Sequence, residues 1–405
     1  MPIGASQLVG TSSHVAVARD RGGAIKCDLQ PREGRNVTLF IDNEVVADVL
    51  TMHDTIAALE ESYRQLAVQD AVCRPRVDIH IPIPGEKKVY QWGTMEGGSK
   101  SGYFAIRMKS DVIYEQEYNG VVTQEKYCMR PGRFCGLILL TSARTGEPLA
   151  FINDGVLQHM RVGADGAIGV KYMSREDSKV VGMLGSGGMA RAHMEAFMCV
   201  RGIERLQVFS PTPANREAFA EEMRSKYGIE VAVCDNPRDV YRGADIVAGV
   251  TDSAVPVLNG DWLEEGCHVL NVGGGGRPDP RTLERADAYF RFGNAPAPWG
   301  LPDMALDDEY ITYAAKADSD SGFRTKRSGR RGHGSLMPER MITFADIVEG
   351  RSRGRASPDQ ITYSERGNLQ GAQFWAVGAV VYEKAKERGL GHEIPTDWLL
   401  QDIRN

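Results

Sequence analysis

The spacing of apolar residues changes along the chain, and each change predicts a different element. Between residues 40 and 66, Val45, Val46, Val49, Leu50, Ile56, Leu59, Tyr63 and Leu66 recur at helical intervals. That spacing lines one face of a helix, broken at residues 51–54 by a second capping signal. From residue 76 to 149 the pattern becomes short β-rich runs at 77–83, 89–92, 103–108, 136–141 and 149–152. Ala143-Arg-Thr-Gly-Glu-Pro, between two of these runs, predicts a hairpin. Residues 157–172 read as a helix. Beyond them, β-rich segments near 180–184, 205–209, 230–233, 245–250 and 268–272 alternate with helical ones at 189–200, 213–227 and 239–242. Such alternation predicts an α/β fold with a parallel sheet. The last long helix spans 372–388 and is stopped by Gly389. No internal repeat is present.

The strand ending at Leu184 runs into Gly185-Ser-Gly-Gly-Met-Ala. This is the G-x-G-x-x-A form of a dinucleotide-binding turn. Gly185 permits the tight turn, Gly187 lets the backbone approach a pyrophosphate, and Ala190 lets helix and strand pack closely. Ser186, Gly188 and Met189 complete the cradle at the helix N-terminus, where free N–H groups and the helix dipole favour an anion. Thr251, Asp252, Val272 and Gly273, at the C-terminal ends of later strands, are further candidate cofactor contacts. In the second strand's terminal stretch, Phe209-Ser-Pro-Thr, no carboxylate is present to accept ribose hydroxyls. The Ser210 and Thr212 hydroxyls, with Asn215 or Arg216 from the following helix, would instead hold a 2′-phosphate, so NADP(H) is favoured over NAD(H).

Composition narrows the class. The 405 residues suffice for two domains. Apolar residues at 42% and charged residues at 25% are ordinary for a globular chain. A net charge of -6 gives no reason to expect nucleic-acid binding. Seven cysteines without a C-x-x-C pair argue against a disulfide framework and a zinc site, and fit a reducing cytoplasm. No metal and no membrane partner are expected, since no apolar run reaches spanning length and the N-terminus lacks a signal-peptide core. Residues 1–35, rich in Gly, Ser and Arg, read as a flexible extension. Residues 317–335 read as a solvated basic loop.

Five landmarks occur in order: Arg144-Thr-Gly-Glu-Pro-Leu-Ala, His159-Met-Arg-Val-Gly-Ala, Gly185-Ser-Gly-Gly-Met-Ala, Thr251-Asp-Ser-Ala-Val-Pro-Val-Leu and His268-Val-Leu-Asn-Val-Gly-Gly. With them the chain resembles the ornithine cyclodeaminase/mu-crystallin family. The resemblance implies a homodimer. It also implies a Rossmann domain at 176–345, inserted in a β-rich α+β substrate-binding and dimerisation domain at 36–175 and 346–405. It implies imine chemistry, with hydride passing between nicotinamide and the α-carbon of an amino or imino acid.

The family's two carboxylate-binding arginines fall on Arg76 and Arg161, and guanidinium forks suit that task. The family lysine falls on Arg107, which can bind an anion but is a poor proton shuttle. Lys109, on the same strand face by alternation, is expected to take the proton role. The aspartate used by the cyclodeaminases falls on Gly275, leaving Asp279 as the nearest downstream carboxylate. The family glutamate that holds a distal ammonium falls on Gly93, with Glu96 close by. A cluster of cations would also suit a second acidic group on the substrate. His159 and His193 read as structural, and Asn368 could reach the pocket. The expected activity is that of an imine reductase or amino-acid dehydrogenase. The alternatives are an amino-acid cyclodeaminase and a non-enzymatic NADPH/ligand binder.

Overall fold

The computed structural model describes residues 36–118, 121–251, 253, 255–272, 278–293, 299–300, 309–315, 329–330, 338–365 and 369–403. Residues 1–35, Asp252, Gly273, Gly275, Asn368 and all of the basic loop except Gly329–Arg330 lie outside them.

The first stretch departs from the expected broken helix. Strand β1 (Val37–Ile41) takes in Phe40. It pairs parallel with one strand and antiparallel with another, and these ladders outweigh the local helical spacing. Asp42 then accepts from the backbone N–H groups of Glu44 and Val45, both at 2.9 Å, and starts α1 (Asn43–Val49). The expected interruption is real: Thr51 accepts from Asp54 N at 3.2 Å and starts α2 (Met52–Ala67).

A mostly antiparallel sheet follows from β2 (Ala71–Cys73), β3 (Val77–Pro82), β4 (Lys88–Ser99), β5 (Tyr103–Tyr118), β6 (Val121–Tyr127), β7 (Cys135–Ser142) and β8 (Pro148–Asn153). The predicted hairpin joins β7 to β8, with Gly146 at φ +78°. β5 runs through Tyr118, well past the expected end at 108, because β6 pairs with its far half.

Helix α3 (Gly155–Met173) carries the chain to the second sheet, where every pairing is parallel. Its elements are β9 (Val180–Leu184), α4 (Gly188–Val200), β10 (Arg205–Phe209), α5 (Pro213–Tyr227), β11 (Glu230–Val233), β12 (Ile246–Gly249), β13 (His268–Asn271), α6 (Pro280–Arg285) and β14 (Ala288–Arg291). The chain then revisits the first sheet as β15 (Glu309–Ala314) and β16 (Gly329–Arg330), with β15 pairing to β3. It returns to the second as β17 (Met341–Thr343), α7 (Phe344–Val348) and β18 (Thr362–Glu365). Helix α8 (Gln370–Glu387) and β19 (His392–Pro395) end it on the first sheet.

The parallel sheet has the order β11-β10-β9-β12-β13-β18-β14-β17. Strand order reverses between β9 and β12, the switch point of a doubly wound Rossmann fold. Sheet membership crosses the expected boundary at 345/346 in both directions. β15 and β16 precede it yet join the first sheet, and β18 follows it yet joins the second.

Candidate active site

The glycine turn sits at the switch point. Gly185 has φ +125°, and a Cβ there would lie 2.1 Å from the carbonyl oxygen of Val250. Only glycine fits such a turn against the neighbouring strand end. Gly187 caps α4 without a side chain, the first turn carries no acid, and a Cβ on Gly187 would meet nothing within 4 Å. The start of α4 thus carries neither an acid nor a capping side chain, which suits an anion such as a pyrophosphate. Ala190 is buried, and Arg191 donates to the Ser186 carbonyl at 2.8 Å, bracing the loop. Thr251 lies beside Gly185, and its hydroxyl accepts from Ser253 N at 3.2 Å. Val272 N donates to Gly249 O at 3.1 Å. The His159 Nε2 would stand 2.9 Å from a Cβ on Gly188, which puts this histidine at the mouth of the turn.

At the end of β10, Arg216 donates to the Ser210 carbonyl at 3.3 Å, lies 5.8 Å from the Phe209 ring centroid and pairs with Asp235. Thr212 caps α5 without a side-chain hydrogen bond. The sequence at 209–212 shows no acid, but the Asp235 side chain, 93% exposed, comes from the end of the next strand.

The inner face of the first sheet holds a polar cluster that strand alternation builds. Asp78 and His80 on β3, Gln91 on β4, and Arg107, Lys109 and Asp111 on β5 are all buried. Lys109 Nζ donates to Gln91 Oε1 at 2.6 Å and to Asp111 Oδ2 at 2.8 Å, and Gln91 Nε2 meets His80 Nε2 at 2.9 Å. Burial, reinforced by the Arg76 charge and opposed by Asp111, lowers the Lys109 amine to about 7. Arg76 donates to Asp78 Oδ1 at 2.8 Å. Arg107 donates to Asp154 Oδ2 at 2.6 Å. Asp154 occupies the space over Gly136, where a Cβ would overlap its carboxylate.

Arg161 differs from the other three cations. It is 2% exposed and lies 4.9 Å over the Phe374 ring, with Arg107 5.5 Å from the same ring. Its Nη2 donates to Gln158 at 2.9 Å, and its Nη1 donates to Gln373. Its Nε has no hydrogen-bond partner, and Asp165 and Asp154 act on it through space rather than by contact. Burial and the neighbouring Arg107 lower its pKa to about 10, which leaves it cationic at neutral pH.

Arg107 and Arg161 thus meet over the Phe374 ring, while Arg76 and Lys109 act on one another beside Asp78 and Asp111. Asp279, the carboxylate expected to act in catalysis, has no contact with either group among those described. It caps α6, accepting from Thr282 N at 2.8 Å, Thr282 Oγ1 at 2.6 Å and Gly260 N at 3.0 Å. A carboxylate so engaged holds a helix start, as Pro280 at the next position indicates. Glu96 is bound by Arg74 at 2.7 Å. At Gly93 a Cβ would lie 2.7 Å from Asp78 Oδ1 and 2.8 Å from Lys109 Cε, so these side chains fill the place of the family glutamate. Sequence reasoning missed Asp78, Gln91, Asp111 and Asp154. The first three stand at two-residue spacing with His80 or Lys109, or face them across the ladder, and buried alternation is the signal they left.

A parallel α/β sheet with this turn at its switch point defines a dinucleotide-binding protein. The ornithine cyclodeaminase/mu-crystallin family model matches residues 118–290. An uncharacterized cyclodeaminase of Sinorhizobium fredii is 25% identical over 84% of this chain and 92% of its own. The Delta(1)-pyrroline-2-carboxylate reductase of Bacillus cereus is 27% identical over 64% of this chain and 74% of its own. Among solved structures, the Thermococcus litoralis Delta(1)-pyrroline-2-carboxylate reductase in complex with NADH and L-proline aligns with a TM-score of 0.67 at 24% identity. It covers 88% of this chain and 100% of that one. Over residues 118–290, then, the chain matches the ornithine cyclodeaminase/mu-crystallin family, and its relatives include a cyclodeaminase and a pyrroline-2-carboxylate reductase.

Proposed function

We propose that this protein is an NAD(P)H-dependent oxidoreductase that reduces an α-imino acid carrying one carboxylate, or oxidises the corresponding amino acid. The observation that carries the reading is Arg161, a buried guanidinium whose Nε has no hydrogen-bond partner and on which Asp165 and Asp154 act only through space. Burying a charge without a contacting counter-ion is costly, and a substrate carboxylate would supply that contact. Arg76, Arg107 and Lys109 already hold Asp78, Asp154 and Asp111, which argues against a second acidic group on the substrate. The relationship to a pyrroline-2-carboxylate reductase supports the same substrate class.

Nicotinamide, when bound, supplies the hydride. The N-terminus of α4 fits its pyrophosphate, with residues 185–190, Thr251 and Val272 around it. Arg161 would anchor the substrate carboxylate, and Arg76 and Arg107 would set the field around it. Lys109, with its amine near neutrality, would give a proton to the substrate nitrogen during reduction and take it back during oxidation. Ring closure with ammonia loss is disfavoured, because Asp279 is a helix cap and the Gly93 position is filled.

NADP(H) remains the favoured cofactor. Arg216 would release Asp235 to hold a 2′-phosphate, and Ser210 and Thr212 would assist. Arg216→Ala is then expected to weaken NADPH binding about tenfold or more while leaving NADH binding within about twofold, as loss of one charged hydrogen bond implies. Titration with both cofactors checks this, and equal losses would count against it. The proposed protein is a cytoplasmic homodimer, with residues of the two sheets forming cofactor-binding and substrate-binding domains. Among the described residues no helix is long and apolar enough to cross a membrane.

The test is NADPH oxidation against cyclic ketimines and α-keto acids with amines, with the amino-acid oxidation assay in parallel. Arg161→Ala should abolish turnover or raise KM, with NADPH binding intact. If that variant loses NADPH binding, the arginine is structural and the reading fails.

A further inference from the structure

Arg161 and Asp165 stand one helical turn apart on α3, a spacing at which such residues ordinarily pair directly. Here the connection runs through two other helices. Arg161 Nη1 donates to Gln373 Oε1 on α8, Gln373 Nε2 donates to the Tyr63 hydroxyl on α2 at 2.7 Å, and that hydroxyl donates to Asp165. All four residues are buried, Arg161 being the most exposed of them at 2%.

The direction of this chain is fixed by its members. A guanidinium can only donate, so Gln373 must present its oxygen to Arg161 and its nitrogen to Tyr63. Tyr63, having accepted, donates onward. Burial, together with Asp165, pushes the Tyr63 phenol well above its ordinary pKa and keeps it a neutral donor. Its ring is held 4.6 Å from Phe292 and 5.9 Å from Phe344, which fixes the hydroxyl in place.

A direct Arg161–Asp165 pair would neutralise the guanidinium and consume its N–H groups. The relay sets the anion two neutral groups away. It orients the guanidinium through polarised hydrogen bonds, while Asp165 acts on its charge only through space and its Nε–H keeps no partner.

We infer that Tyr63, Gln373 and Asp165 are positioning residues that orient Arg161 and keep its charge available for the substrate carboxylate. This rests on the reading of Arg161 as the carboxylate anchor.

Tyr63→Phe keeps the ring and removes the link. KM for the imino acid should rise about tenfold, the effect of losing a hydrogen bond that serves a charged group. kcat should stay within about twofold and NADPH affinity should not change. In an Arg161→Lys background the same substitution should change KM no further, because it acts through the guanidinium. Gln373→Glu offers Arg161 a direct counter-ion and should raise KM more than Tyr63→Phe does. It also serves as the test if Tyr63→Phe does not fold. Unchanged KM in the variant that folds, or an additive effect of Tyr63→Phe in the Arg161→Lys background, overturns the relay. Unchanged KM in Arg161→Ala overturns the anchor itself, so the two ideas fail separately.

Discussion

Lys109 shows how a residue acquires chemistry from its surroundings. A lysine in water holds its proton far above neutrality. Here burial and the Arg76 charge bring the amine to about 7, although Asp111 and Gln91 both accept its hydrogen bonds. The sign of the pH dependence follows. In the proposed reaction protonated Lys109 serves reduction, so kcat for imine reduction should fall as pH rises through about 7. Neutral Lys109 serves amino-acid oxidation, so that rate should climb over the same range. Arg76→Gln removes one cause of the shift and should move both transitions upward. Parallel pH–rate profiles of the two proteins check this, and coincident profiles would remove Lys109 as the titrating group. The shared face of Arg107 and Lys109 was legible from strand alternation alone. Their counter-ions were not equally so. Asp111 is two residues from Lys109, but Asp154 meets Arg107 from 47 positions away, and nothing local announces it.

At the scale of elements, the glycine turn and the helix behind it were the most legible part of the chain. α5 was expected at 213–227 and is found at Pro213–Tyr227, ended by Gly228 in the left-handed conformation. α4 differs from expectation by one residue at its start. These elements carry their own caps and periodicity. β1 does not, and its strand character comes from pairing with β8 and β19. The far half of β5 depends on β6 in the same way. Gly185 links element geometry to binding. Gly185→Ala must accommodate a Cβ 2.1 Å from the Val250 carbonyl at a φ of +125°. The backbone strain alone costs about 1–3 kcal/mol. A lower melting temperature and lost NADPH binding are expected, by calorimetry and fluorescence titration. An alanine variant that binds NADPH normally would mean the turn is not the cofactor cradle.

For the whole molecule, the two faces of the first sheet divide the labour. The inner face carries the charged cluster, whereas the outer face presents Ile79 at 41% exposure, Ile81 at 48% and the half-buried Trp92 and Met108. Apolar side chains grouped on one sheet face suit a partner contact, and we propose this face as the contact of the proposed homodimer. Ile79→Asp with Ile81→Asp should halve the mass measured by light scattering, while the parallel sheet and cofactor binding persist. An unchanged mass would place the contact elsewhere. The other whole-molecule feature is β18. It pairs with β13 on one side and β14 on the other, so the parallel sheet has a gap until Glu365 has been made. A ribosome must therefore release most of the chain before the nucleotide fold can close. In the interval the facing edges of β13 and β14 are open to mispairing. Synthesis and quality control thus act on the two sheets together, because neither is complete without the other's intervening segments.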